Sequence, residues 1–201
     1  MLVLPSNEIE KAASILKKGG VGAVPTDTVF GLVACVFDEK AIARVFNIKK
    51  RSGDKALPVL VDGWENLNRV AVGDNPKLEC LAKTFWPGAL TIVLPKQTKV
   101  PSIISGGLDT IAVRIPNYPR VLELIKLVGP LVGTSANISG KTGGQTHLEV
   151  AADLGEELDF VIMGECPGAI PSTVVDLCGY EPRILREGVV PSELIAKAIS
   201  S

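Results

Sequence analysis

Aromatic residues make up only 4% of this 201-residue chain, too few for a surface that stacks many bases on exposed rings. Histidine occurs once, at His147 beside a flexible polar stretch, which disfavours a base-activated serine and so a Ser/His/Asp triad. The four cysteines, Cys35, Cys80, Cys166 and Cys178, show no Cys-x-x-Cys spacing, and with one histidine they do not build a structural zinc site. No paired carboxylates stand at metal-ligand spacing either, so no metal ligands are assigned. Sparse, unpatterned cysteines fit a reducing cytosol. Charge is nearly balanced, 21 lysines and arginines against 22 acids, so any nucleic-acid or anion site must be a local patch. No apolar run approaches the roughly 18 residues of a membrane span. The stretch MLVLPSNEIEK lacks the basic-then-apolar order of a secretory signal. The expectation is a soluble cytoplasmic protein.

Hydrophobic residues, at 46%, are enough for a substantial core. The chain is organised around 21–61. Val21, Ala23 and Val24 read as a buried strand that stops at Pro25. Thr26-Asp27-Thr28 follow in a loop, with Phe30 and a turn residue at Gly31. Open α/β sheets keep ligands in loops at the carboxyl ends of strands. A helix is predicted over 39–48, then the cationic tip Lys49-Lys50-Arg51, then a strand over 57–61. Before this unit, Ile9, Ala12, Ala13 and Leu16 define one helical face. Ser6 or Asn7 opens that helix, Asn7 and Glu10 fit a capping box, and Gly19-Gly20 closes it. Further helices are predicted over 76–85, 119–128, 147–155 and 192–199, with Pro76 and Pro119 at permitted first-turn positions. Strands are expected at 90–94, 110–115, 131–133, 160–163, 173–177 and 183–185. The pattern predicts one α/β (α+β) domain over residues 1–201, a twisted mixed sheet flanked by helices. Proline and glycine gather at element ends, as expected of shaped loops around a cleft.

Several constellations bear chemistry. If the chain is extended past the helix, Lys49 and Arg51 share a face and suit phosphate groups; a solvated, dipole-favoured helix end is the plainer reading. Ser135 and Asn137, after a buried strand, offer hydrogen bonds to phosphate or ribose, or else close an Asx or Ser turn. Ser139-Gly140-Lys141-Thr142 resembles the tail of a phosphate-binding loop, but that loop needs a glycine at 135, where Ser135 stands. A small-molecule kinase is therefore disfavoured. Arg114, near the end of a buried strand, must be paired, face solvent or bind an anion. Arg186 makes the same case.

Taken in order, these segments resemble the YrdC family of L-threonylcarbamoyladenylate synthases. The matching motifs are PTDTVFGL at 25–32, IKKR at 48–51, WPGALTIVLP at 86–95, TIAVRIP at 110–116, TSANISGK at 134–141, PSTVVDL at 171–177 and ILREG at 184–188. The resemblance covers about residues 20–188 and takes the short form, without a further C-terminal domain. It implies a twisted mixed sheet with a large, positively lined concave cleft. It also implies an enzyme that joins L-threonine, bicarbonate or carbon dioxide and ATP, with Mg2+ on the triphosphate, into threonylcarbamoyl-AMP and pyrophosphate. A partner complex then passes the threonylcarbamoyl group to adenosine next to the anticodon of tRNA.

The residues implied on the ATP side are Lys49 and Arg51 as the catalytic cations, with Lys55, Thr110, Ser135, Asn137 and Arg186. On the threonine side they are Thr28, Arg114 and Ser172. The loop 140–146 is the expected lid. Three positions depart from the pattern. Phe30 replaces a usual tyrosine, Gly143-Gly144 replace a Pro-Ser stretch, and Leu60 stands where some relatives carry a threonine-contacting histidine. The alternative is an RNA-binding or ribosome-assembly module that meets tRNA or double-stranded RNA through a basic face over 40–55.

Overall fold

The computed structural model describes residues 1–167 and 170–200. Among these residues ten strands form one sheet: β1 (Leu2–Leu4), β2 (Gly22–Val24), β3 (Gly31–Cys35), β4 (Val59–Leu60), β5 (Leu90–Pro95), β6 (Thr110–Arg114), β7 (Leu131–Ser135), β8 (Phe160–Ile162), β9 (Thr173–Asp176) and β10 (Arg183–Arg186). Their spatial order is β1-β8-β2-β3-β7-β4-β6-β5-β9-β10. Pairings are mixed: β1/β8, β2/β8, β4/β6 and β5/β9 are parallel and the other five antiparallel. The helices are α1 (Ile9–Lys17), α2 (Glu39–Lys49), α3 (Trp64–Asn68), α4 (Pro76–Phe85), α5 (Ser102–Ser105), α6 (Pro119–Val128), α7 (His147–Leu154) and α8 (Ser192–Ile199). None of them is long and apolar enough to cross a membrane.

The pleat separates two cores. One face of the sheet carries Ala23, Leu32, Val59, Val113 and Val132, packed with Ile42, Val45 and Phe46 of α2 and Leu78 and Leu81 of α4. The opposite face carries Val24, Val33, Leu60 and Leu131, covered by α1 through Ile9, Ala12, Ala13 and Leu16 and by α6 through Val121, Leu124 and Ile125. The register continues this second face through Gly31 opposite Ser135, Gly133 opposite Val33, and Arg114 opposite Leu60. Alternation along β6 then puts Thr110 and Ala112 on the same side as Arg114. Gly133, Ser135 and Ala112 on this face are small and only partly buried, unlike Val24 and Val33. At Gly133 a Cβ would meet Leu60 Cγ at 2.3 Å, so glycine lets Leu60 close over the strand.

Helices 76–85, 119–128 and 192–199 lie where the sequence predicts them. Several expectations need correction. Gly31 is not a turn but the first residue of β3, paired to Val24 on one side and Ser135 on the other. The helix α1 starts after Glu8, whose side chain makes no cap, so the Asn7–Glu10 capping box is absent. The helix predicted over 147–155 is met by α7, which His147 opens with Nδ1 at 3.1 Å from Gly164 O. A capping box is present instead at Thr146 and Glu149.

Candidate active site

Lys49 ends α2, and the next residue turns the chain: Lys50 adopts a left-handed conformation with φ of 47°. Extended geometry, and with it a shared Lys49–Arg51 face, is therefore excluded. Lys49 is also not a solvated helix end. It is only 1% exposed, and its Nζ donates to Ser135 O and Asn137 O (2.9 Å), with Asn137 Oδ1 at 3.4 Å. The ammonium thus pins the loop after β7 to the end of α2. Burial, and then the neighbouring Arg51 charge, pull it from 10.5 to about 8. Arg51 donates to Ala56 O through Nη2 at 2.9 Å, while its Nε is buried with no partner among the described residues. A buried cationic donor without an acceptor is costly, and a bound anion would satisfy it.

Asn137 uses its side chain on the loop itself. Nδ2 donates to Ile138 O (2.9 Å) and Lys141 O (2.6 Å). The turn-closing reading of Asn137 therefore describes its amide, while Ser135 stays half-exposed. A cavity of about 490 Å³ opens here, lined by Phe30, Ser135, Asn137, the 140–144 stretch, Pro171 and Arg186. Phe30 is 1% exposed, so its ring is a buried wall. A larger cavity, about 590 Å³, lies between Trp64, Trp86, Pro87 and Asn75 and contains none of the predicted site residues. We take the smaller one as the site, because Ser135, Asn137 and Arg186 of the predicted residues line it.

Arg114 does not itself line this cavity; it is 6% exposed and tightly held. Its Nε donates to Gly88 O (2.8 Å), Nη1 to Thr28 Oγ1 (2.8 Å) and Nη2 to Asp27 Oδ1 (2.6 Å). Burial works against its charge, Asp27 offsets that, and the like charge of Arg186 adds to the load. Thr28 is 2% exposed, and its hydroxyl lies 3.2 Å from Thr26 Oγ1. Thr26 donates its own proton to Val29 O (2.7 Å), so Thr28 is the donor between the two threonines. Ser172 Oγ pairs with Thr91 Oγ1 at 2.7 Å, and Arg186 Nη2 donates to Ser172 O at 2.8 Å. The structure thus brings Thr28, Arg114, Ser172 and Arg186 into one group, and Lys49, Arg51, Ser135 and Asn137 into another. Lys55 stands exposed in the 50–56 loop, and Thr110 lies at the far end of β6 from Arg114. Asp27 is the residue that sequence reasoning missed; its signal was its place between Thr26 and Thr28. Of the cations in 39–55, Lys49 is buried and Arg44 is paired to Asp159 at 2.8 Å, which takes two charges out of the basic face that the RNA-binding alternative invokes.

The sequence profile of the Sua5/YciO/YrdC family, described as telomere recombination, matches residues 14–188. The chain belongs to this family. A Pyrococcus abyssi relative named threonylcarbamoyl-AMP synthase is 42% identical over 194 residues, which are 96% of this chain and 57% of the relative. A Mycobacterium tuberculosis protein, a putative threonylcarbamoyl-AMP synthase, is 33% identical over 96% of this chain and 90% of its own length. The crystal structure of P. abyssi Sua5 complexed with L-threonine superposes with a TM-score of 0.95 at 40% identity, covering 99% of this chain and 61% of that one. The chain thus spans a little over half of the P. abyssi protein's length, 57%.

Proposed function

We propose that this chain makes threonylcarbamoyl-AMP and pyrophosphate from L-threonine, bicarbonate or carbon dioxide, and ATP, for modification of the adenosine next to the anticodon in tRNA by a downstream threonylcarbamoyl-transfer complex. The observation that carries the reading is the orphaned Nε of Arg51 beside buried Lys49, a cationic wall that lacks only an anion. The synthase names of its relatives and the threonine complex of a similar structure support it.

In this reading ATP enters with its Mg2+ as substrate. Arg51 and Lys49 face the phosphates, and Lys55 and Lys141 extend the positive rim. Ser135, Thr110 and Arg186 complete the nucleotide side, with Asn137 fixing the loop that presents them. Threonine's carboxylate takes the N–H groups that Arg114 has left, with Thr28 and Ser172 beside it. The amine attacks carbon dioxide to give a carbamate. A carbamate oxygen then attacks the α-phosphorus, and the bond to pyrophosphate breaks. No protein nucleophile is required: catalysis comes from positioning and from charge that offsets the leaving pyrophosphate. Both the carbamate and the mixed adenylate are labile in water, so the 140–146 stretch acts as a cover.

The test is pyrophosphate release from Mg2+-ATP, with mass spectrometry for the AMP adduct. Release that needs both threonine and bicarbonate supports the reading; release without them, or none from folded protein, overturns it. Arg51→Ala should weaken ATP binding about tenfold to a hundredfold, the value of hydrogen bonds to a charged group, while thermal unfolding stays close to wild type. Wild-type ATP affinity in that variant would remove Arg51 from the phosphate site.

A pH effect follows from Lys49. Its value in the folded protein, about 8, lies below the ordinary 10.5. Between those values the unfolded chain binds the extra proton, so this residue's contribution makes stability rise with pH across that window. Its cationic charge disappears over the same range. ATP affinity should therefore fall as pH passes 8 even as the folded state gains. Titration of ATP binding and of thermal unfolding between pH 7 and 10 checks the opposed trends.

A further inference from the structure

We infer that Asp27 is a positioning residue for the amino group of the amino-acid substrate, and that the Asp27–Arg114 pair reads a zwitterion rather than a bare carboxylate. The inference rests on the synthase reading above. A guanidinium has five N–H groups. Three are engaged, by Gly88 O, Thr28 Oγ1 and Asp27 Oδ1, which leaves two, one on each Nη. Asp27 uses only Oδ1 in the pair; Oδ2 has no hydrogen-bond partner among the described residues. The Asp27 side chain is 17% exposed against 8% for Arg114, so the carboxylate is the more open of the two. The pair thus presents free cationic N–H groups and a free anionic oxygen side by side.

A ligand that brings only a carboxylate to Arg114 also meets Asp27, and like charges at this range repel. An α-amino acid brings its ammonium on the carbon next to the carboxylate, and that ammonium offsets Asp27. Besides Arg114, the Cys166 thiol is the titratable group that feels the Asp27 charge. No second cation of the protein is in contact with Asp27 among the described residues, so the position opposite Oδ2 is left to the substrate nitrogen. The ammonium gives up one proton to solvent before it attacks; Asp27 Oδ2, accepting one of the two remaining N–H groups, then fixes the direction of the lone pair that attack on carbon dioxide requires. Asp27 acts on binding and orientation; no bond to it forms.

The test compares two ligands on the wild-type protein by calorimetry at neutral pH, with a non-hydrolysable ATP analogue present. One is L-threonine; the other is (2S,3R)-2,3-dihydroxybutanoate, in which hydroxyl replaces the amine. The wild type should prefer threonine by tenfold or more, the scale of one charge-assisted hydrogen bond. Asp27→Asn keeps an acceptor for Arg114 but loses the charge, and should erase the preference by weakening threonine alone. Equal binding of the two ligands by the wild type overturns the inference and needs no variant to fold. An unchanged preference in a folded Asp27→Asn protein overturns it as well. If the wild type binds neither ligand, the synthase reading itself fails on its amino-acid side.

Discussion

Arg114→Met should abolish threonine-dependent turnover and destabilise the protein by about 3 kcal/mol, the cost of leaving one partner of a buried ion pair alone. Arg114 and Asp27 are 2.6 Å apart with side-chain exposures of 8% and 17%, so little water reaches either. Methionine fills most of the volume but returns none of the three hydrogen bonds, to Gly88 O, Thr28 Oγ1 and Asp27 Oδ1. Thermal unfolding should drop by roughly 6–12 °C for a chain of this size. The double variant Arg114→Met/Asp27→Asn separates the two losses. It removes both charges and should recover most of the stability, because a neutral pair has no unpaired buried ion. It should recover no turnover, because threonine's carboxylate still lacks its cation. A single variant as stable as wild type would show that the pair adds nothing to the fold. Turnover restored in the double variant would sink the carboxylate assignment.

How much of this was legible in the sequence depends on where each signal resides. Helices α4, α6 and α8 carry their own evidence, with proline at or just before the first turn and an apolar stripe at i, i+3 and i+4. Strand β1 does not: only Leu4 of its three residues is buried, and its partner β8 starts at Phe160. Gly31 resembles a turn residue because glycine is common in turns. It is a strand residue because β2 and β7 pair with it on both sides, a fact about residues 24 and 135 rather than its neighbours. The candidate site shows the same division. Burial makes an arginine at 114 demand a partner, and the sequence states that demand. It does not say that the partner is Asp27, 87 residues earlier. The Lys49–Arg51 geometry hinges on one left-handed residue, Lys50, and a lysine gives no sign that it will adopt positive φ.

Lys49→Met should lower turnover by a hundredfold or more and also lower stability, by about 2 kcal/mol. From residue types alone, removing Lys49 and Arg51 together is expected to stop turnover without unfolding the domain. The structure changes that expectation for Lys49. Its ammonium is a buried donor to Ser135 O and Asn137 O. Methionine matches its length but donates nothing, so two carbonyls lose a partner at roughly 1–3 kcal/mol each. Part of that is offset, because the native state no longer holds a desolvated charge. The loop that Lys49 anchors also carries Asn137, which holds Lys141 O at 2.6 Å. Loosening it moves Ser135 and the 140–144 wall of the cavity together. Turnover is lost twice over, through the missing charge and through the displaced wall. Hydrogen exchange separates the two: amides over 136–141 should exchange faster in Lys49→Met, and at the wild-type rate in Arg51→Ala. Fast turnover in Lys49→Met with unchanged exchange would mean that the buried ammonium neither anchors the loop nor serves the phosphates.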